Sequence, residues 1–208
     1  MTAPAGPSVR TVAFVGNGPV GAGAAQAIDG ADWVVRFNGA PHFGGPAGRR
    51  VDDLFLVNVG GQPREWLEAD AFWRSPHVTS AARVTLPVQS AAQSPGLAAA
   101  RAGREHVDGI NFEHDLRARL DVLGMRVRTL PDPVRRDAMR ALGQHEPSPR
   151  HWPSTGFLAL FWYDGALDPE VRFDLHGFGF AGARHHAWPA ERAWAERRAR
   201  AGRLRLWR

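Results

Sequence analysis

Short apolar runs of strand length alternate with segments of helical spacing along almost the whole chain. Residues 11–15, TVAFV, form the first run and residues 33–37, WVVRF, the second, with a small-residue segment of helical spacing over 21–28 between them. The run VDDLFLVNV predicts a third strand over 51–59, ending near Asn58, and Trp66, Leu67, Ala69, Phe72 and Trp73 predict a helix over 63–73. A strand over 83–88 follows, then an amphipathic helix over 112–123 marked by Phe112, Leu116, Leu120 and Leu123. Residues 126–130 predict a strand and 133–142 a helix. Further on, Ser154 or Thr155 is a natural N-cap for the apolar helical run 157–163. A strand over 171–176, a helix over 189–201 with Pro189 in its first turn, and a short strand over 204–207 complete the pattern. Between 89 and 109 the Ala, Ser, Gly and Pro content rises and no pattern is legible; no internal repeat is present. Alternation from end to end predicts an α/β fold: a single Rossmann-like domain over 9–208, with a mainly parallel sheet flanked by helices. Residues 1–8 read as a disordered leader.

The punctuation between these runs points to chemistry. Gly16-Asn17-Gly18-Pro19 breaks the chain between the first strand and its helix, and glycines there let backbone approach a ligand closely. Free N–H groups at a helix N-terminus favour an anion, so the unit predicts a site for a phosphorylated ligand. Arg36 and Asn38 arrive at the end of the second strand, bringing a cation and an amide to the carboxyl edge where ligands of open parallel sheets bind. A plain strand-to-helix connection is the bland alternative. Residues 16–21 also spell GxGxxG, the dinucleotide fingerprint, but Arg36 and Asn38 stand where an NAD site wants an acid, which leaves an NADP-binding oxidoreductase as the rival. The turn Pro153-Ser154-Thr155-Gly156 offers a second helix N-terminus of the same kind.

Composition narrows the classes. With 208 residues, 44% hydrophobic content and eight tryptophans, the chain can bury an ordinary core as one domain. It has no cysteine, which excludes disulfides, thiolate metal sites and a cysteine nucleophile. The start MTAPAGPSVR has neither a basic nor an apolar signal region, and no stretch is long enough to span a membrane, so the expectation is a soluble, cytoplasmic protein. The net charge of +5 comes wholly from arginine and implies acidic partners.

Three separated pieces resemble one family, the eukaryotic-type sialyltransferases of glycosyltransferase family 29. VAFVGNGPV with AIDGADWVVRFNGAP is similar to the large sialylmotif, PSTGFLALFWYDGA with VRFDLHGFG to the small one, and His186 with Glu191 five residues on to the very small one. The pieces cover roughly a third of the chain. The chain resembles a soluble relative without membrane anchor or stem. Val12 stands where the first motif cysteine would be, and the motif that normally precedes the last is not separately visible, His185 being its remnant.

What the resemblance implies is a GT-A-like Rossmann architecture and an inverting, metal-independent glycosyltransferase. It would move sialic acid, or a related ulosonic acid such as Kdo, from a CMP-sugar donor to a glycan hydroxyl. In that assignment His186 is the general base, while Asn17, Gly18, Arg36, Asn38, Ser154, Thr155, Gly156 and His185 bind the donor. Glu191 either orients His186 or stabilises the first turn of the last helix. No cofactor is implied beyond the CMP-sugar, and the partners are the glycan acceptor and, peripherally, an anionic membrane. The nine histidines contain no metal-ligand triplet, so no metal is expected. His151 and His176 are either site groups or packed side chains. The arginine- and tryptophan-rich ending could serve a noncatalytic nucleic-acid-binding role, but such a run is more often the solvated face of a terminal helix.

Overall fold

The computed structural model describes residues 9–91, 109–145 and 151–207. The expected leader, and most of the stretch without a legible pattern, lie outside them.

In chain order the elements are β1 (Thr11–Val15), α1 (Ala24–Asp29), β2 (Trp33–Phe37), β3 (Asp53–Phe55), α2 (Gly61–Glu68), α3 (Asp70–Trp73), α4 (Pro76–Thr79), β4 (Arg83–Leu86), α5 (Glu113–Val122), β5 (Val127–Thr129), α6 (Asp132–Ala141), α7 (Thr155–Ala166), β6 (Arg172–His176), α8 (Trp188–Arg200) and β7 (Leu204–Leu206). The strands form one sheet in the order β5-β4-β3-β2-β1-β6-β7, and every pairing is parallel. The chain steps outward from β1 to β5, then returns to the other side of β1 for β6 and β7. The strand order therefore reverses between β1 and β6, and in open α/β sheets the carboxyl edge at such a reversal is where ligands sit.

Register decides which residues share a face. Phe14 pairs with Val35 and with Leu175, placing all three on the side covered by α6, α7 and α8; there Phe37, Phe55 and Phe173 pack with Leu158, Tyr163, Ala138 and Trp194. Ala13, Val15 and Val34 face the other way, against Ala24 and Ile28 of α1. Further along that side Leu54, Leu56, Val84 and Leu86 meet Trp66, Trp73, Leu116 and Leu120. The central strands are buried on both faces, which is why their sequences read as continuous apolar runs rather than alternating ones.

One polar network interrupts the α7 side. Asp53, with no exposed surface, accepts hydrogen bonds from Arg83, Arg128, the Tyr163 hydroxyl at 2.7 Å and the Thr85 hydroxyl at 2.7 Å. Trp33 donates in turn to the Tyr163 oxygen at 3.0 Å. Each partner satisfies a group that would be costly if stranded. The network ties β3, β4, β5, β2 and α7 together at the end of the sheet away from the strand carboxyl edge.

Three sequence-predicted boundaries move. The third strand shrinks from 51–59 to Asp53–Phe55, because beyond it Val57 N–H donates to the Asn38 side chain at 2.9 Å rather than to a strand. The helix over 63–73 breaks at Ala69, which is extended, so that Trp66 and Phe72 stack at 4.5 Å and the Trp73 indole donates to Trp66 O at 2.7 Å. The first helix starts three residues late, since Gly23 takes the left-handed conformation at φ 79°.

Candidate functional site

The turns that leave β1 and β6 are locked together. Gly16 N–H donates to His176 O at 2.8 Å and Gly18 N–H to Gly177 O at 3.0 Å. A Cβ on Gly16 would lie 2.5 Å from the Gly177 carbonyl oxygen, and one on Gly18 would lie 2.8 Å from it. Gly16, Gly18 and Gly177 are thus needed for the approach of two backbones to each other. This also removes the structural support for a dinucleotide fingerprint. The helix does not open on the glycine loop, its N-cap Gly23 provides no side-chain cap, and it runs for only six residues.

The Phe178 ring then gathers the other turns. It approaches within 3.2 Å of the Cβ positions of both Gly16 and Gly156, and packs edge-on against Phe37 at 5.8 Å. The ends of β1, β2 and β6 and the start of α7 therefore surround one ring at the strand switch, and Asn17, Asn38 and residues 154–156 are the residues that follow β1 and β2 or open α7.

The residues expected there divide by what their polar atoms already do. Asn17 is exposed and its side chain makes no hydrogen bond among the described residues. Asn38 sits at φ 52°, donates its N–H to Phe55 O at 2.8 Å and accepts from Val57 N–H through Oδ1. That fixes the side chain and leaves its amide N–H₂ as the free end. Thr155 and Gly156 are half-buried in the first turn of the 12-residue α7, where amide N–H groups have no intrahelical acceptor and the helix dipole is positive.

Ser154 is committed to structure. Its Oγ accepts from Phe157 N–H at 3.1 Å and donates to Glu191 Oε2 at 2.7 Å, while its own N–H donates to Glu191 Oε1 at 2.8 Å. Glu191 is 2% exposed, and burial pushes its carboxyl pKa up, with the two Ser154 bonds working against that. Glu191 thus orients Ser154 rather than His186, clamping the start of α8 to the start of α7.

Arg36 also departs from expectation. Its guanidinium turns to the loop over 45–50, donating to Arg50 O at 2.7 Å and Ala47 O at 2.5 Å, with the Phe43 ring 5.0 Å away. At 1% exposure it is desolvated, which lowers its pKa to about 10, and it serves as a loop anchor rather than a group facing the crevice. Asp29 supports the same loop, accepting from the backbone N–H groups of Arg49 and Arg50. Asn58, at another strand end, is spent on a staple to Val88 and Asn111.

His186 lies in the loop before α8, where Trp152 N–H donates to His185 O at 2.8 Å and Trp152 O lies 3.0 Å from His186 Nδ1. A carbonyl partner takes the proton on Nδ1 and leaves Nε2 as the acceptor. Burial lowers the His186 pKa, with the bond to Trp152 opposing it. His185 is exposed, with its ring 4.2 Å from that of His186. His77 had no signal in the sequence, being carried on a four-residue helix; it lies beside Phe43 and Phe72, with a buried Nε2 that has no partner. Two surface hollows of about 390 and 220 Å³ lie elsewhere, along α6 and α8. Among the described residues no cluster of three or more His, Asp or Glu is arranged to hold a metal, and no helix is long and apolar enough to cross a membrane.

No family model matches the sequence. The urease operon 23 kDa accessory protein of Rhizobium meliloti (strain 1021) is 32% identical over 206 residues, covering 95% of this chain and 93% of that protein. Among solved structures, a mammalian sialyltransferase superposes with a TM-score of 0.58 at 19% identity, over 96% of this chain and 69% of that one. A mammalian sialyltransferase in complex with Gal-beta-1-3GalNAc-ortho-nitrophenol gives 0.56 at 19% identity, over 96% and 70%. The solved structures bear out the sialyltransferase-like, Rossmann-type fold. The expected function does not stand. The relative that shares nearly the whole chain is an accessory protein of a urease operon, which overturns the assignment as an inverting glycosyltransferase acting on a CMP-sugar. The motif-like pieces coincide with the interlocked turns, the Ser154 cap and the loop anchors, so they take part in the architecture of this sheet edge.

Proposed function

The chain belongs to the family of the Rhizobium meliloti urease operon 23 kDa accessory protein, and from that premise we propose that it serves urease as an accessory protein by binding a phosphorylated small ligand, a nucleotide by chemical class, in the crevice at the strand switch. The observation that supports this is the meeting of the ends of β1, β2 and β6 with the start of α7 around Phe178, next to polar groups left unspent. Asn17 is exposed and unbonded, Asn38 has one free amide end, and the first-turn amides of Thr155 and Gly156 point out of a 12-residue helix. Donors without acceptors at a helix N-terminus suit an anion. Gly18 serves by letting the turn close, and His185 and His186 form the rim on the α8 side. Ser154 and Glu191 act behind the site by fixing the start of α7.

Two measurements test the two halves of the proposal. Calorimetric titration with inorganic phosphate and nucleoside monophosphates should give saturable binding, weakened about tenfold by Asn38→Ala if the lost bond is worth about 1.4 kcal/mol. The absence of binding to any of them would remove the ligand half. Deleting the gene in its host should lower urease activity without lowering the amount of urease polypeptide, and restoring it should recover activity. Unchanged urease activity in the deletion strain would remove the accessory half.

A further inference from the structure

The side of β6 and β7 turned away from α7 and α8 carries Asp174, His176, Arg205 and, after β7, Trp207. Arg205 holds Asp174 in two hydrogen bonds of 2.9 and 2.8 Å, and the Trp207 indole lies over the His176 ring, 5.0 Å between centroids and 22° from parallel. No residue of these two strands on that side joins a hydrophobic cluster among the described residues.

His176 is 1% exposed, and neither ring nitrogen has a hydrogen-bond partner. A buried polar group without a partner is rare enough to need a cause. The nearest carboxylate on its own strand, Asp174, is occupied by Arg205, and Arg36 two strands away on the same side is turned to the 45–50 loop. The position is not incidental either. His176 closes β6, its carbonyl receives the Gly16 N–H, and it follows directly into Gly177, so its backbone is part of the interlocked glycine turns.

Burial lowers the His176 pKa to about 4, with Asp174 opposing and Arg205 and Arg36 reinforcing the shift. At neutral pH the ring is therefore uncharged and presents one donor and one acceptor. Such a pair is poorly suited to phosphate and well suited to the edge of a heteroaromatic ring that itself carries a donor and an acceptor. Trp207, 39% exposed, supplies a flat apolar face beside it, and Arg205 lies 4.2 Å from the indole centroid. The indole is held by few ties: Trp207 N–H donates to Leu175 O at 2.9 Å at the end of a three-residue strand.

We propose that His176 and Trp207 form the base subsite of the crevice, Trp207 stacking on a nucleobase and His176 hydrogen-bonding its edge while the phosphate lies on the glycine turns. The proposal rests on the nucleotide-binding function given above and deepens it by naming the side chains that would hold the base.

Calorimetric titration of the full chain with ribose 5-phosphate and with AMP, GMP, CMP and UMP separates the two. At least one nucleotide should bind ten times or more tighter than ribose 5-phosphate. Trp207→Ala should reduce that advantage about tenfold, the order expected for base–aromatic stacking, and leave ribose 5-phosphate affinity unchanged. His176→Phe, which keeps a ring against the indole, should retain nucleotide binding while flattening the preference among the four bases. Equal affinity for ribose 5-phosphate and all four nucleotides, or a nucleotide advantage untouched by Trp207→Ala, overturns the subsite while leaving the phosphate crevice intact. Failure of every one of these ligands to bind the unmodified protein overturns the crevice and the subsite together.

Discussion

Replacing Glu191 by alanine should destabilise the protein far more than its single carboxylate suggests. The side chain is 2% exposed and receives both the N–H and the hydroxyl of Ser154, at 2.8 and 2.7 Å. Removing it strands two buried donors, each costing about 1 to 3 kcal/mol, so a loss of about 3 kcal/mol is expected. For a chain of 208 residues that is a fall in Tm of about 6 to 12 °C. Glu191→Gln keeps an acceptor for the Ser154 N–H and strands only the Ser154 hydroxyl proton, so it should cost about 1 to 2 kcal/mol, less than the alanine variant. The pH dependence has a definite sign. Burial raises the folded carboxyl pKa, so the folded state holds the proton more tightly than the unfolded one. The stability this contributes is complete below the usual carboxylate pKa and is lost as pH rises through the raised folded value. Urea denaturation at a series of pH values between 4 and 7, on wild type and both variants, measures all of this. The clamp is refuted if Glu191→Ala loses less than about 1 kcal/mol, or if Glu191→Gln is equally damaging. A wild-type minus Gln difference that is flat with pH would refute the protonation component.

Three further outcomes can be checked by the same denaturation measurements. His176, lowered from 6.5 to about 4, contributes stability above its unfolded pKa that is lost as pH falls between those values, at most about 3 kcal/mol; His176→Phe should abolish that pH window, and a window that persists unchanged assigns it to another group. Gly16→Ala drives a Cβ to 2.5 Å from the Gly177 carbonyl and should cost about 1 to 3 kcal/mol, while Gly39→Ala, with nothing within 4 Å, should stay within about 0.5 kcal/mol; equal effects at the two positions would contradict the interlocked turns. Asp53→Ala leaves Arg83, Arg128 and the Tyr163 hydroxyl without their shared acceptor and should cost about 3 to 5 kcal/mol, so a loss below about 1 kcal/mol would mean the network reorganises freely.

The strand runs at 11–15, 33–37, 83–88 and 171–176 were legible because strands buried on both faces need continuous apolar sequence, and glycine marked the turns that follow β1 and β6. The meeting of the turns after β1 and β6 was legible for the same reason, since parallel strands put all their carboxyl ends on one edge. Partners across the sheet were not. Nothing local tells that Arg36 will be consumed by carbonyls at 47 and 50, that Glu191 will hold Ser154, 37 residues earlier, or that Asp53 will gather groups from β4, β5 and α7. These bonds close only when the chain is folded. The motif-like pieces misled about function because glycine interlocks, a Ser cap and an Asn38 side chain binding Val57 N–H are demands of this architecture, and an architecture serves many chemistries.

The central claim, that a phosphorylated ligand occupies the crevice at the switch between β1 and β6, is met most directly by backbone amide NMR during titration with a nucleoside monophosphate. The account predicts saturable shifts concentrated at residues 16–18, 38, 155, 156 and 177–179, with the arginine-rich outer face of α8 unmoved. Shifts confined to α8, or none at millimolar nucleotide, would contradict it.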